Sequence, residues 1–332
     1  MVKVGIIGAG FMGEMHATVY AQFPDVRIAG IADIVGEKAK NLASKFKTVP
    51  FYNPDDILGK EDITIIDICL PTFLHKDYVI KAAKLGKDII CEKPIALTVE
   101  DADEMIKVCE ENRVRFMVAQ VIRFWPEYKF LKEGYDSGKF GKLLTISCRR
   151  LSGAPTWGWE NWLLNENRSG GAIIDLHIHD TDFLLYLIGK KPETIYSRAK
   201  TSTHIFSVFK FPEGIIGTAE GGWDFPPNFP FEMSFLAQFE KATVEFNSRN
   251  SPTLTVYHLS GKIEKPVFET KKAETTGNIS DLGGYFYELR YFIEHVIHNK
   301  PFRVVTPTEA RDSLYIILKE KESAEKEQEI KL

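Results

Sequence analysis

The sequence predicts an α/β fold: an N-terminal Rossmann domain with a doubly wound parallel sheet, then an α+β domain with a large, mostly antiparallel open sheet. Three observations predict it. Over roughly the first 120 residues, apolar runs of strand length alternate with helix-length amphipathic runs. A glycine motif falls at the first strand–helix junction. From about residue 193, β-rich runs such as FSVFKF, FEMSFLAQF and ATVEF replace the alternation, separated by turn signals such as Pro212-Glu213-Gly214.

Taken in order, residues 2–8 form the first strand and 12–22 the first helix, followed by a strand at 27–33 and a charged helix at 36–46. The run ITIIDICL at 63–70 is β-branched and apolar on both faces, as a central parallel strand must be. Helix 75–85, strand 88–91, helix 98–112 and strand 114–119 complete a sheet of about six strands. The first domain is therefore expected over 1–121 and the second over 122–332. In the second, a helix is predicted over 125–137 and a strand over 143–151. A loop carrying Trp157, Trp159 and Trp162 leads to Gly170-Gly171 and an amphipathic helix over 172–188. Helices over 281–298 and 307–325 end the chain.

Composition narrows the function. Hydrophobic residues make up 44% and charged residues 27% of 332, which is globular rather than disordered. A net charge of −4 argues against a non-specific nucleic-acid binder. No apolar run reaches membrane-spanning length, and MVKVGIIGAG is too short and glycine-rich for a signal peptide, so a cytoplasmic protein is expected. Cys69, Cys91, Cys109 and Cys148 lack CxxC spacing, and three sit in apolar runs, which reads as small buried hydrophobes in a reducing compartment.

The glycine motif is Gly8-Ala9-Gly10-Phe11-Met12-Gly13. Gly8 permits the tight turn, Gly10 lets backbone approach a pyrophosphate, and Gly13 allows close helix–strand packing. The backbone of Phe11 and Met12 opens the helix whose N–H groups and dipole hold phosphates. Asp33 ends the second strand, where a carboxylate accepts hydrogen bonds from an adenosine ribose and repels a 2′-phosphate. Neither Ile34 nor Val35 offers a basic partner for such a phosphate, so NAD is favoured over NADP. Ligands of open α/β sheets bind beyond the carboxyl ends of the strands. Pro71, Thr72, His75, Glu92, Lys93 and Gln120 fall at such ends and are further cofactor-binding candidates. Arg123 lies near the same crevice as a candidate for an anionic substrate group.

With these residues in place, the chain resembles the glucose–fructose oxidoreductase/inositol dehydrogenase family (Gfo/Idh/MocA) over essentially its full length. The resemblance rests on the N-terminal glycine motif, Glu92-Lys93-Pro94, Gly170-Gly171 followed by Asp175 and His179, and the closing helix pair. It implies that Lys93, Asp175 and His179 are the catalytic residues, that Lys93–Pro94 is cis, and that the second domain's sheet makes dimer or tetramer contacts. The segment IHDTDFLLYLIG is similar to the inositol dehydrogenase branch. His177 departs from the small residue of many relatives, and its side chain is expected to narrow or polarise a substrate pocket.

These residues suit hydride transfer at a secondary alcohol. A histidine of near-neutral pKa removes the hydroxyl proton well, and His179 stands one helical turn from Asp175, which orients it or binds a substrate hydroxyl. Lys93 would stabilise alkoxide character at the oxygen. No metal is expected, because His177 and His179 diverge on a helix and no third ligand is evident. Trp157 and Trp162 either wall a sugar ring or plug a packing seam. Arg150 lies on the apolar side of its strand and calls for an acidic partner. Three functions compete: an NAD-dependent dehydrogenase of a cyclic polyol or sugar, inositol first; a glycosidase that retains NAD and oxidises transiently; and a non-catalytic NAD-binding sensor.

Overall fold

The computed structural model describes residues 1–268 and 282–332, which divide into two compact units. The first holds β1 (Val2–Ile7), α1 (Phe11–Tyr20), β2 (Val26–Ala32), α2 (Gly36–Lys45), β3 (Pro50–Phe51), α3 (Pro54–Leu58) and β4 (Ile65–Ile68). It continues with α4 (His75–Lys84), β5 (Asp88–Glu92), α5 (Val99–Glu111) and β6 (Phe116–Ala119). All six strands are parallel, in the order β3-β2-β1-β4-β5-β6, so the strand order reverses between β1 and β4. Ile65, Ile66 and Ile68, then Ile89, Ile90 and Cys91, are fully buried, as a sheet with helices on both faces requires. The two-residue β3 is too short for a pattern and escaped the sequence reading.

The second unit contains α6 (Pro126–Asp136), β7 (Leu143–Gly153), α7 (Glu166–Ser169), α8 (Gly171–Asp175) and α9 (Ile178–Ile188). Then come β8 (Thr194–Thr201), β9 (His204–Lys210), β10 (Ile216–Phe225), β11 (Glu232–Phe239), β12 (Ala242–Asn247), β13 (Leu254–His258) and β14 (Ile263–Glu264). With β15 (Ile330–Lys331) they form one nine-stranded sheet, ordered β14-β13-β12-β11-β7-β10-β9-β8-β15. Only the β7–β10 pair is parallel; the other described pairs are antiparallel. Alternation is clean in β9, where Ile205, Ser207 and Phe209 are buried and Phe206, Val208 and Lys210 are exposed. On the buried face, Tyr128 meets Phe183, Phe235 and Phe246 edge-on at 4.6, 5.1 and 5.3 Å. Arg150 is buried in this unit with the acidic partner its position demanded: its Nε and Nη2 donate to the Asp180 carboxylate at 3.0 Å each.

Two boundaries differ from expectation. The first unit ends at Phe124 rather than 121, and the chain later returns to it through α10 (Gly283–Ile297) and the start of α11 (Pro307–Lys326). There Phe286 packs edge-on against Phe23 at 5.1 Å and Arg290 pairs with Asp25 at 2.7 Å. An amphipathic helix shows in sequence that it covers a core, not which one. The helix expected over 172–188 is also two pieces, α8 and α9. His177 N–H donates to Ala172 O, five residues back, a local widening that interrupts the regular ladder. Among the described residues, no helix is long and apolar enough to cross a membrane.

Candidate active site

The glycine turn is built as its sequence requires. Gly8 has φ +107°, and a Cβ there would lie 2.3 Å from Cys69 O. A Cβ on Gly13 would lie 1.9 Å from Gly8 O, so only glycine lets α1 sit this close to β1. At Gly10 an added Cβ would meet nothing within 4 Å, which leaves open space over the turn. No side chain caps α1, which begins with the half-buried Phe11 and Met12. Asp33, just past β2, braces the turn: Oδ2 accepts from Ala9 N–H and Oδ1 from Val35 N–H, both at 2.8 Å.

At the ends of β4, β5 and β6 the side chains divide into two groups. Thr72 Oγ1 and Gln120 Nε2 are buried and find no hydrogen-bond partner among the described residues. Buried polar atoms left so are rare and invite a ligand. Pro71, next to Thr72 in sequence, is half-buried, and Lys93, also half-buried, precedes Pro94 through a cis bond, as the resemblance implied. Three other candidates are engaged inside the unit, against expectation. His75 Nδ1 lies 2.9 Å from Pro94 O and Nε2 2.8 Å from Leu70 O. Desolvation holds its pKa below the ordinary histidine value, although both carbonyls pull the other way. Glu92 turns its carboxylate inward, toward His16 and its own neighbour's N–H. Arg123 is buried and donates to Val304 O at 2.6 Å and to Glu309 at 3.1 Å, so it is held by the first unit itself.

In the second unit, Asp175 is the last residue of α8 and His179 the second of α9, both half-buried. His177, between them, does not line a pocket as expected. It is fully buried, with Nε2 2.7 Å from Glu320 Oε2, and Thr181 Oγ1 donates to the other oxygen at 2.7 Å. Gly221 has no side chain where His177 passes; a Cβ there would lie 2.5 Å from Nδ1. Of the tryptophans, Trp162 packs against Leu163, Ala172 and Trp223, whereas Trp157 is exposed.

The sequence reading missed a buried polar cluster in the first unit. His16 Nδ1 lies 2.8 Å from Asp67 Oδ2, and Cys69 Sγ donates to Asp67 Oδ1 at 3.3 Å. Cys69 therefore lies in a polar setting, unlike the buried Cys91, Cys109 and Cys148. His16, Asp67 and Cys69 present donor atoms within 4.8 Å of one another, a metal-capable combination that their spacing in the chain does not suggest. The one available signal was Asp67 itself, a carboxylate inside the apolar run IIDI.

A parallel sheet in this order, with its glycine turn and strand-end carboxylate, defines the first unit as a dinucleotide-binding Rossmann domain. The chain belongs to the Gfo/Idh/MocA oxidoreductase family: residues 2–120 match its NAD-binding Rossmann fold and residues 128–245 its C-terminal domain. It is 29% identical to the 2,7-anhydro-N-acetylneuraminate hydratase of Escherichia coli over 69% of this chain and 63% of that protein. It is 31% identical to the inositol 2-dehydrogenase of Rhizobium meliloti over 60% of this chain and 58% of that protein. The chain spans between 51% and 65% of the length of such curated relatives. Among solved structures, a levoglucosan dehydrogenase complex with NADH and L-sorbose superposes with a TM-score of 0.88 over 100% of this chain and 98% of that one, at 22% identity. That likeness is one of fold. The residues present fit NAD: the open space at Gly10 suits a pyrophosphate, and the unpaired Thr72 and Gln120 atoms offer hydrogen bonds to a bound nucleotide.

Proposed function

We propose that the protein is an NAD-dependent dehydrogenase acting on a secondary alcohol of a cyclic polyol or sugar, with inositol as the first candidate. The observation that carries this reading is Lys93, a half-buried lysine at the end of a buried strand in a chain of this family that also keeps Asp175 and His179. NAD supplies the hydride acceptor when bound. The chain supplies proton handling. His179 takes the hydroxyl proton, Asp175 orients the imidazole or grips a neighbouring hydroxyl, and the Lys93 ammonium stabilises negative charge on the oxygen. Phe11, Met12, Asp33, Pro71, Thr72 and Gln120 are assigned to the cofactor, with Asp33 selecting NAD over NADP.

The test is NADH formation, read by absorbance, against inositols, hexoses and anhydrosugars. With the active compound, His179→Ala should lower kcat about 10²–10⁴-fold while NADH binding persists. Near-wild-type turnover in that variant would make Lys93 the base instead. A second reading, glycoside or anhydrosugar cleavage through transient oxidation with NAD retained, draws on the relative named a hydratase, since adding water changes no net oxidation state. Sugar release without NADH accumulation would favour it.

The second unit's sheet supports a homodimer or homotetramer. Leu144, Phe206, Val208, Ile216 and Leu236 are exposed on its strands, more apolar surface than a lone sheet face usually presents to water. Light scattering showing a monomer at micromolar concentration would count against this assembly.

A further inference from the structure

We propose that Asp67, His16 and Glu92 form a buried charge chain that holds the backbone of Lys93, and that the proton on His16 keeps the chain closed. His16 is thereby a positioning residue for Lys93. The proposal rests on the reading of Lys93 as the group that meets the reacting oxygen.

His16 lies on α1, and its ring is fully buried. A carboxylate from β4 and another from β5 approach opposite ring nitrogens: Asp67 Oδ2 is hydrogen-bonded to Nδ1 at 2.8 Å, and Glu92 Oε1 stands 3.1 Å from Nε2 as an ion-pair contact that is not aligned as a hydrogen bond. The other Glu92 oxygen accepts the Lys93 backbone N–H at 3.1 Å. That last contact orients the Glu92–Lys93 peptide and with it the direction in which the Lys93 side chain leaves the strand. Three links thus join α1, β4 and β5 to one backbone atom of Lys93.

An imidazolium is the form that presents positive charge to both carboxylates at once, hydrogen-bonded to Asp67 through Nδ1 and attracted to Glu92 across 3.1 Å at Nε2. A neutral ring would donate to one and present a lone pair to the other, leaving a buried carboxylate without its cation. Among the described residues, the other groups around His16 and Asp67 are Cys69 just past β4, Tyr20 at the end of α1 beside Asp67, and Tyr285 and Glu288 from α10. Burial raises the Cys69 thiol, the Tyr20 phenol and the Glu288 carboxyl, which disfavours their ionised forms beside His16. Burial is the largest single influence on His16 and opposes its charge, yet Asp67 leads a set of contacts that carry its pKa well above the ordinary value. Asp67, otherwise unexplained in an apolar strand, is the residue that keeps the proton on His16.

The experiment needs no substrate. Competitive acetylation with acetic anhydride, read by peptide mass spectrometry, compares Lys93 with the exposed Lys84 in the full-length protein across a pH series. Nitrogen-15 spectra of the histidine side chains follow His16 in the same samples. In His16→Gln and Glu92→Ala the Lys93-to-Lys84 labelling ratio should rise about threefold or more, the lower range for coupling within one network of hydrogen bonds and ion pairs. In the wild type the ratio should rise at the pH where His16 loses its proton, and Asp67→Asn should move that midpoint to lower pH. Loss of fold stability alone would not move a midpoint. If His16→Gln does not fold, the wild-type and Asp67→Asn series still decide. An unchanged ratio in folded variants, or a midpoint indifferent to Asp67→Asn, would overturn the chain. So would stoichiometric zinc raising the wild-type melting temperature with the effect lost in Cys69→Ser, since the cluster would then hold a metal. Undiminished turnover in Lys93→Met would instead sink the catalytic reading of Lys93 and leave the labelling result intact.

Discussion

Replacing Arg150 with methionine tests how the second unit supports Asp175 and His179. Asp180 follows His179 directly, is fully buried, and receives two 3.0 Å bonds from the Arg150 guanidinium. Arg150→Met removes the cation, keeps much of the stem's volume and strands a carboxylate. Breaking a buried pair from one side costs about 3–5 kcal/mol. For a body of this size each kcal/mol shifts the melting temperature by about 2–4 °C, so a fall of about 6–20 °C is expected. Arg150→Met with Asp180→Leu removes both charges and the desolvation they impose, and should recover most of the loss. The remainder belongs to Tyr128, whose hydroxyl accepts from Nη2 at 3.3 Å and would lose that donor, a cost of about 1 kcal/mol. Scanning calorimetry and urea denaturation measure both variants. A single variant within about 1 kcal/mol of wild type would refute the idea that Asp180 depends on Arg150. A double variant as unstable as the single one would show that the stem's packing matters and the charge pair does not.

Glu288 is pushed well above the ordinary carboxyl value by burial, so between pH 4.5 and that higher value the folded state keeps a proton that the unfolded chain releases. Stability therefore falls as pH rises through this window, and Glu288→Gln should show a smaller drop in melting temperature between pH 5 and pH 8 than wild type; an equal drop would refute the assignment. Gly13→Ala forces a Cβ to 1.9 Å from Gly8 O, so α1 must retreat from β1; NADH fluorescence titration should show binding weakened at least about tenfold, and unaltered binding would mean the turn adapts. Asp33→Ser with Ile34→Arg should move the kcat/KM preference toward NADP, at some cost in stability because Ala9 N–H and Val35 N–H lose their acceptor; wild-type kcat/KM for NADP equal to that for NAD would refute the role of Asp33.

The sequence by itself determined what local patterning encodes. Alternating apolar runs specified the parallel unit, because a strand covered on both faces must be apolar throughout, as in Ile65–Ile68. Gly8, Gly13 and Asp33 were legible because a turn this tight admits few residues and the second strand's end follows it at a set distance. Arg150 could be predicted to need an anion, since period-two alternation assigns its face. Which anion was decided only by the fold, which brings in Asp180 from another element. The same holds for the break between α8 and α9, where His177 reaches Glu320 across 143 residues of sequence. His75, Glu92 and Arg123 looked available for ligands because each ends a strand or follows one. The structure engages them instead with Leu70, His16 and Val304, partners set by packing. The Asp67–His16–Glu92 chain joins three elements of the first unit, and its first link alone spans 51 residues. Periodicity and turn chemistry act over a few residues, so they assign a side chain its face; only tertiary structure chooses the polar group it meets there, because a buried charge must find a partner wherever the chain has placed one.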